Sequence, residues 1–331
     1  MIDLQDIARQ LVAPGKGIYA ADESVKSADK RLEEHGVTPG PDSRLRFRDL
    51  FLGTPGLNDY LTGVILHEET LMQNGLDGES FAKKLANQGV MPGIKVDEGT
   101  EPMPASPGEL ITKGLIGLSA RLTGYRETYG ATFTKWRAVV TIDGEMLPTD
   151  AALVENMKRL AMSARCVQEA GMVPILEPEV LYDGTHSRVR SRAVITKTLA
   201  ILMRELDEHG VDRSGVIVKT AMALSGKATG KKDAPDEVAS DTVGALLEAV
   251  PKGIPGIVFL SGGQTPDQAM KNLAAITREA RAKDAPWPLT FSFSRAFQEE
   301  ALTLWNGKDA NVPAAREAFL ARLREAKAAL G

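Results

Sequence analysis

The stretch AALVENMKRLAMSARCVQEAGMVPILEPEV, residues 151–180, changes its hydrophobic period part-way along. Up to Gly171 the apolar residues recur every three or four positions, the spacing of one helix face. From Met172 a short, nearly continuous apolar run follows, as expected of a strand buried on both sides. Helix followed by buried strand is the unit of a parallel α/β fold.

The same unit recurs in both directions along the chain. Strand-like runs stand at GIYAAD (17–22), TGVILH (62–67), GIKVD (93–97), TKWRAVV (134–140), MVPILEPEV (172–180), VIVKTAMAL (216–224), GIVFLSG (256–262) and LTFSFSRA (289–296). Each is separated from the next by about 30 to 45 residues, room for one crossover helix and its loops. Eight such units predict a single (β/α)8 TIM barrel, one domain over residues 1–331 with a closing C-terminal helix. A doubly wound open sheet is the competing architecture, but its glycine-rich first turn is missing: the turn after the first strand reads ADESVKS.

Bulk properties narrow the function. With 43% hydrophobic and 25% charged residues the chain has the makings of a packed core. Its formal net charge is -4, with basic residues spread throughout, so no nucleic-acid or membrane partner is expected and any bound anion must be held by local geometry. No apolar run has the length of a signal or membrane segment, and the expected location is cytoplasmic. Cys166, the one cysteine, has no internal disulfide partner and lies at helical spacing among apolar residues, where an inert thiol is expected. His35, His67, His186 and His209 are far apart, with no metal-ligand spacing, and read as structural or surface groups; no metal and no other cofactor is expected.

Polar residues cluster at the downstream ends of the predicted strands, which in a barrel form the active mouth. They include Asp22, Lys95, Asp97, Lys135, Arg137, Glu177, Glu179, Lys219, Ser261, Ser292, Ser294 and Arg295. Alternation along a strand sends Lys135 with Arg137, and Glu177 with Glu179, to the same side. Lys219 follows VIV and precedes TAMAL, so burial and a nearby cation such as Lys135 would favour a neutral, nucleophilic amine. A buried lysine neutralised by a structural carboxylate is the competing reading. In the Glu177-Pro178-Glu179 triplet, crowding of two carboxylates would push one pKa up and leave a proton donor, the group needed to expel water from a carbinolamine. Surface charges are the alternative, at odds with the apolar MVPIL before them. FLSGGQTP reads as a strand, then Gly262 and Gly263, then a helix start, a backbone cradle for phosphate beside Arg295.

Taken together and in order, AADES, GIKVD, KWRAV, EPEVLYDG, VIVK and FLSGGQ resemble class I fructose-1,6-bisphosphate aldolase over roughly residues 10 to 310. The resemblance implies a homotetrameric barrel that cleaves fructose 1,6-bisphosphate without metal to dihydroxyacetone phosphate and glyceraldehyde 3-phosphate, in glycolysis and gluconeogenesis. It further implies Lys219 as the imine-forming lysine, Glu177 as its acid/base, and Asp22 as the assistant in carbon–carbon cleavage, with Lys135 and Glu179 tuning charge. Ser27, Arg31, Ser261, Gly262, Gly263, Ser292 and Arg295 would hold the ketone-side phosphate, and Lys95 and Arg137 the aldehyde-side one.

The chain departs from the animal and plant pattern at Val25 and Lys26 of ESVKS and at Phe293 and Ser294 of FSFSRA, and it stops at AKAALG without a tyrosine-ended tail. Tagatose or sedoheptulose bisphosphate aldolases, a retaining glycosidase using Glu177 and Glu179, and a non-enzymatic scaffold are the competing functions. The glycosidase is disfavoured because two carboxylates on one strand lie closer than the usual pair drawn from separate strands.

Overall fold

The computed structural model describes residues 3–331. Ten strands occur in chain order: β1 (Gly17–Ala21), β2 (Leu61–Leu66), β3 (Met91–Lys95), β4 (Thr100–Pro102), β5 (Leu110–Thr112), β6 (Phe133–Val140), β7 (Val173–Val180), β8 (Ile217–Thr220), β9 (Gly256–Phe259) and β10 (Leu289–Phe293). Eight of them close a parallel barrel in the order β1-β10-β9-β8-β7-β6-β3-β2, as expected from the eight apolar runs. The remaining two, β4 and β5, make a small antiparallel hairpin at the mouth that the sequence reading did not anticipate.

Alternation along the strands divides the barrel interior into an apolar floor and a polar mouth. Ile18, Ala20, Ile65, Phe133, Val173, Ile175, Ile217 and Val258 form the floor, and Ile7, Ala8, Leu11 and Val12 at the amino terminus pack into it from below. The helix Leu4–Leu11 that carries most of this plug is capped by Asp3, whose carboxylate accepts from the Gln5 N–H at 3.0 Å. Phe133 fills the floor only because its neighbours lack side chains. A Cβ at Gly93 would lie 2.3 Å from the Phe133 ring, and one at Gly63 would lie 2.8 Å from it.

A second and larger apolar cluster lies between the barrel and the surrounding helices. Trp136 and Ala138 of β6 face this layer, whereas Lys135 and Arg137 on the same strand line the mouth, as period-two alternation requires. The strand read over 216–224 ends at Thr220; Met222, Ala223 and Leu224 stay buried as loop, with the Ala223 N–H donated to Thr242 Oγ1 at 2.9 Å. The C-terminal segment forms the helices Arg295–Trp305 and Val312–Leu330, the second being the expected closing helix. No helix among the described residues is long and apolar enough to cross a membrane.

Candidate active site

Beyond the floor, the inward side chains of β1, β6, β7 and β8 become charged. Ile18 and Ala20 lead to Asp22, Phe133 to Lys135 and Arg137, Ile175 to Glu177 and Glu179, and Ile217 to Lys219. These groups line a cavity of about 680 Å³ at the downstream ends of the strands. The floor beneath keeps water out, so the charges nearest it interact at low dielectric.

Lys135 and Lys219 are equally buried, at 3% exposure each. Glu177 joins them: its Oε1 lies 3.0 Å from Lys219 Nζ and its Oε2 lies 3.2 Å from Lys135 Nζ. The second contact is not an aligned hydrogen bond, so Oε2 keeps an acceptor position open. Asp22 closes the chain of charges at 2.5 Å from Lys135.

Burial alone would raise both carboxylates. For Asp22 the ammonium groups of Lys135, Lys219 and Lys95 outweigh burial and hold the carboxyl well below the usual range. For Glu177, Lys219, Lys135 and Arg137 do the same. Glu177 is therefore lowered rather than raised, a correction to the crowded-carboxylate reading of the triplet. The physical reason is that Lys219, Lys135 and Arg137 surround it, while Glu179, the supposed competitor, is paired with Arg137. Lys135, despite burial, is pushed above the ordinary lysine value by Asp22, Glu177 and Asp97. Its charge is thus spent on its own two carboxylates rather than standing unpaired beside Lys219.

Lys95, the other expected phosphate ligand at this end, is held by Asp97 through the carboxylate at 2.6 Å and the main-chain oxygen at 2.7 Å. Of the six lysines and arginines lining the cavity, five have a carboxylate within reach: Lys95, Arg121, Lys135, Arg137 and Lys219. Arg295 alone has none among the described residues. It stands at the start of the helix Arg295–Trp305, next to Ser261, Gly262 and Ser292, with Ser27 on the adjoining wall. Gly262 and Gly263 have φ of 59° and 86°, the left-handed conformations that turn backbone N–H groups into a concave cradle. The buried Ser292 hydroxyl has no hydrogen-bond partner among the described residues. An incoming dianion at this end meets unpaired donors, whereas at Lys95 and Arg137 it must displace a carboxylate.

Two expected ligands lie outside this lining. Arg31 is buried and turned to Glu299 at 3.0 Å, so it does not face the cavity. Gly263 sits just behind Gly262 and contributes through the turn. Conversely, the cavity includes Glu23, Ser24, Glu68, Arg121, Tyr125 and His67, none of them among the expected site residues. His67 was taken as structural or surface, but it lines the mouth and is lowered by burial and by Lys95. A clue was its place at the end of the second apolar run; its role was masked because HEET resembles no ligand motif. The Tyr125 hydroxyl donates to Glu68 at 2.6 Å across the rim. Cys166 and the histidines at 35, 186 and 209 are not in the lining. No group of three or more His, Cys, Asp or Glu side chains among the described residues is arranged to hold a metal ion.

Comparison with known proteins follows the same direction. Residues 3–331 match the family described as fructose-bisphosphate aldolase class-I, glycolytic. A probable fructose-bisphosphate aldolase class 1 of Xanthomonas campestris pv. campestris is 44% identical over 331 residues, covering 99% of this chain and 97% of the relative. Fructose-bisphosphate aldolase 6, cytosolic, of Arabidopsis thaliana is 44% identical over 325 residues, covering 98% and 89%. The crystal structure of fructose-bisphosphate aldolase from Plasmodium falciparum, in complex with TRAP and a small-molecule inhibitor, superposes with a TM-score of 0.95 at 40% identity, over 99% of this chain and 93% of that one.

Proposed function

Since the chain belongs to the class I fructose-bisphosphate aldolase family, we propose that Lys219 is its imine-forming nucleophile and that Glu177, Asp22, Lys135 and Glu179 complete the catalytic set. The reaction is the reversible, metal-independent cleavage of fructose 1,6-bisphosphate to dihydroxyacetone phosphate and glyceraldehyde 3-phosphate, through a lysine Schiff base, in glycolysis and gluconeogenesis. The observation that carries the residue assignment is the 3.0 Å contact between Lys219 Nζ and Glu177 on the floor of the cavity.

The roles follow from that contact. The Lys219 ammonium gives one proton to the ionised Glu177, and the freed amine attacks the ketose C2 carbonyl, a second nitrogen proton passing to the oxygen to form a carbinolamine. Glu177 then returns its proton to that hydroxyl, which leaves as water. The resulting iminium draws electrons from the C3–C4 bond as the C4 hydroxyl gives its proton to Asp22, a carboxylate kept ionised by Lys135. Glyceraldehyde 3-phosphate departs, the enamine gains a proton at C3, and water hydrolyses the imine to release dihydroxyacetone phosphate and Lys219. Glu179 holds Arg137, so loss of that carboxylate would shift positive charge toward the reacting carbons.

The phosphate on the ketone half is assigned to Arg295 with Ser27, Ser261, Ser292 and the turn at Gly262 and Gly263, because Arg295 faces no carboxylate there and the Ser292 hydroxyl has no partner among the described residues. The aldehyde-side phosphate is assigned to Lys95 and Arg137, which would exchange their carboxylates for it. The same proposal treats residues 1–331 as one catalytic domain. It makes the protein cytoplasmic on its likeness to the relative named cytosolic, and homotetrameric on family resemblance, with no part for nucleic acid or membrane. The test is cleavage of fructose 1,6-bisphosphate in excess chelator. Wild-type protein should retain full activity and Lys219→Met should lose several orders of magnitude in kcat; loss of wild-type activity restored by zinc would defeat the reading.

A further inference from the structure

Glu23 is a carboxylate on the cavity wall for which the reaction above has no use. One of its oxygens and its main-chain carbonyl are bound by the buried Arg48, the latter at 2.7 Å. The other oxygen accepts from Ser294 Oγ and from Gln298 Nε2, both at 2.8 Å. Burial and the neighbouring Asp22 would raise this carboxyl, but Arg48 and the hydrogen bond from Gln298 lower it. It is therefore an ionised acceptor with two donors drawn from the start of one helix.

That helix, Arg295–Trp305, begins where the phosphate donors converge. Ser294 is its N-cap residue, yet its side chain makes no capping bond, and its φ of −119° and ψ of −85° are not those of an ordinary cap. By contrast, Ser24, Ser80, Thr149, Ser187 and Thr265 each accept a first-turn N–H at their own helices. A serine at this position ordinarily does the same and occupies amides that would otherwise face an anion. Here the hydroxyl has been recruited as a donor in the opposite direction. The unpartnered Ser292 hydroxyl lines the same cavity as Ser294 and Arg295.

We propose that Glu23 is a positioning residue that keeps the ketone-side phosphate cradle open, by holding the Ser294 hydroxyl away from the first-turn amides of the helix Arg295–Trp305. The inference rests on the assignment of that phosphate to Arg295. In Glu23→Gln the amide oxygen is drawn to Arg48, and the NH2 group is left facing the NH2 of Gln298 and the hydroxyl of Ser294. Ser294 then loses its acceptor and is released to cap its own helix, in competition with phosphate.

The experiment measures the inhibition constant of inorganic phosphate against fructose 1,6-bisphosphate cleavage by the full chain. Glu23→Gln should raise it about fivefold, the effect of one capping hydrogen bond on an equilibrium. Adding Ser294→Ala, which removes the competing hydroxyl, should bring it back to within about twofold of wild type, a rescue that general loosening of the wall would not produce. A double variant as weak as Glu23→Gln alone overturns the proposal. Should Glu23→Gln fail to fold, Glu23→Asp keeps the charge against Arg48 while drawing the carboxylate back from Ser294, and the same rescue by Ser294→Ala is required. Arg295→Ala in the same assay separates the two claims: if it leaves phosphate inhibition unchanged, the phosphate assignment itself fails, whereas a large effect there with no rescue condemns only the role of Glu23.

Discussion

Lys135→Met removes the cation shared by the two catalytic carboxylates while keeping the length and apolar stem of the side chain. In the native site that ammonium lies 2.5 Å from Asp22 and 3.2 Å from Glu177, at 3% exposure. Breaking a buried pair by deleting one partner costs about 3–5 kcal/mol. A second estimate comes from the escape open to the stranded carboxylates. One of them can bind a proton, and at pH 7 this costs about 1.4 kcal/mol for each pH unit above an ordinary carboxylate value near 4, or about 4 kcal/mol. The two routes agree, and the second predicts a pH dependence. Asp22 and Glu177 are lowered in the native protein, so they contribute stability above their unfolded values and lose it as pH falls. Lys135 is raised, so its contribution is complete below the ordinary lysine value and does not change between pH 5 and 7. The stability gap between wild type and Lys135→Met should therefore close from about 4 kcal/mol at pH 7 to about 1.4 kcal/mol at pH 5. Denaturant unfolding at pH 5, 6 and 7 measures it. A gap that stays constant or widens toward acid would refute the charge-sharing account. Turnover should be slow, with a ketose adduct still trappable at Lys219.

Glu177→Gln keeps the shape of the acid/base but cannot carry a proton, and rapid-quench borohydride trapping should show imine formation slowed by about 10²–10⁴; unchanged trapping kinetics would remove Glu177 from that step. Arg295→Ala should raise KM for the bisphosphate about tenfold or more, the loss of a charge-assisted phosphate contact, and leave KM for an unphosphorylated ketose nearly unchanged. Equal effects on both substrates would show that Arg295 does not touch phosphate.

The barrel was legible because each inward strand position repeats every two residues and each crossover supplies its own helical period. The same regularity exposed the site: Asp22, Lys135, Glu177 and Lys219 interrupt apolar runs at the ends where a barrel opens. What one chain written in order could not show was which charges meet. Arg31 was assigned to phosphate, but its partner Glu299 lies far along the chain and turns it out of the cavity. Glu179 was read as crowding Glu177, yet Arg137 on the neighbouring strand takes it. Glu23 sat inside a quoted motif without a role, because its partners come from two distant segments, Arg48 from one helix and Ser294 and Gln298 from the start of another. The β4–β5 hairpin was missed because TEP and LIT are too short, and too exposed on one side, to carry a period.

Mass spectrometry of peptides after borohydride reduction in the presence of dihydroxyacetone phosphate tests the central claim most directly. A lysine that forms an imine keeps the ketose as a stable secondary amine, so the modified residue is read from the peptide that carries the added mass. The predicted result is one adduct, at Lys219, retained in Lys135→Met and absent from Lys219→Met; an adduct at Lys135, or normal labelling of Lys219→Met, would contradict the account.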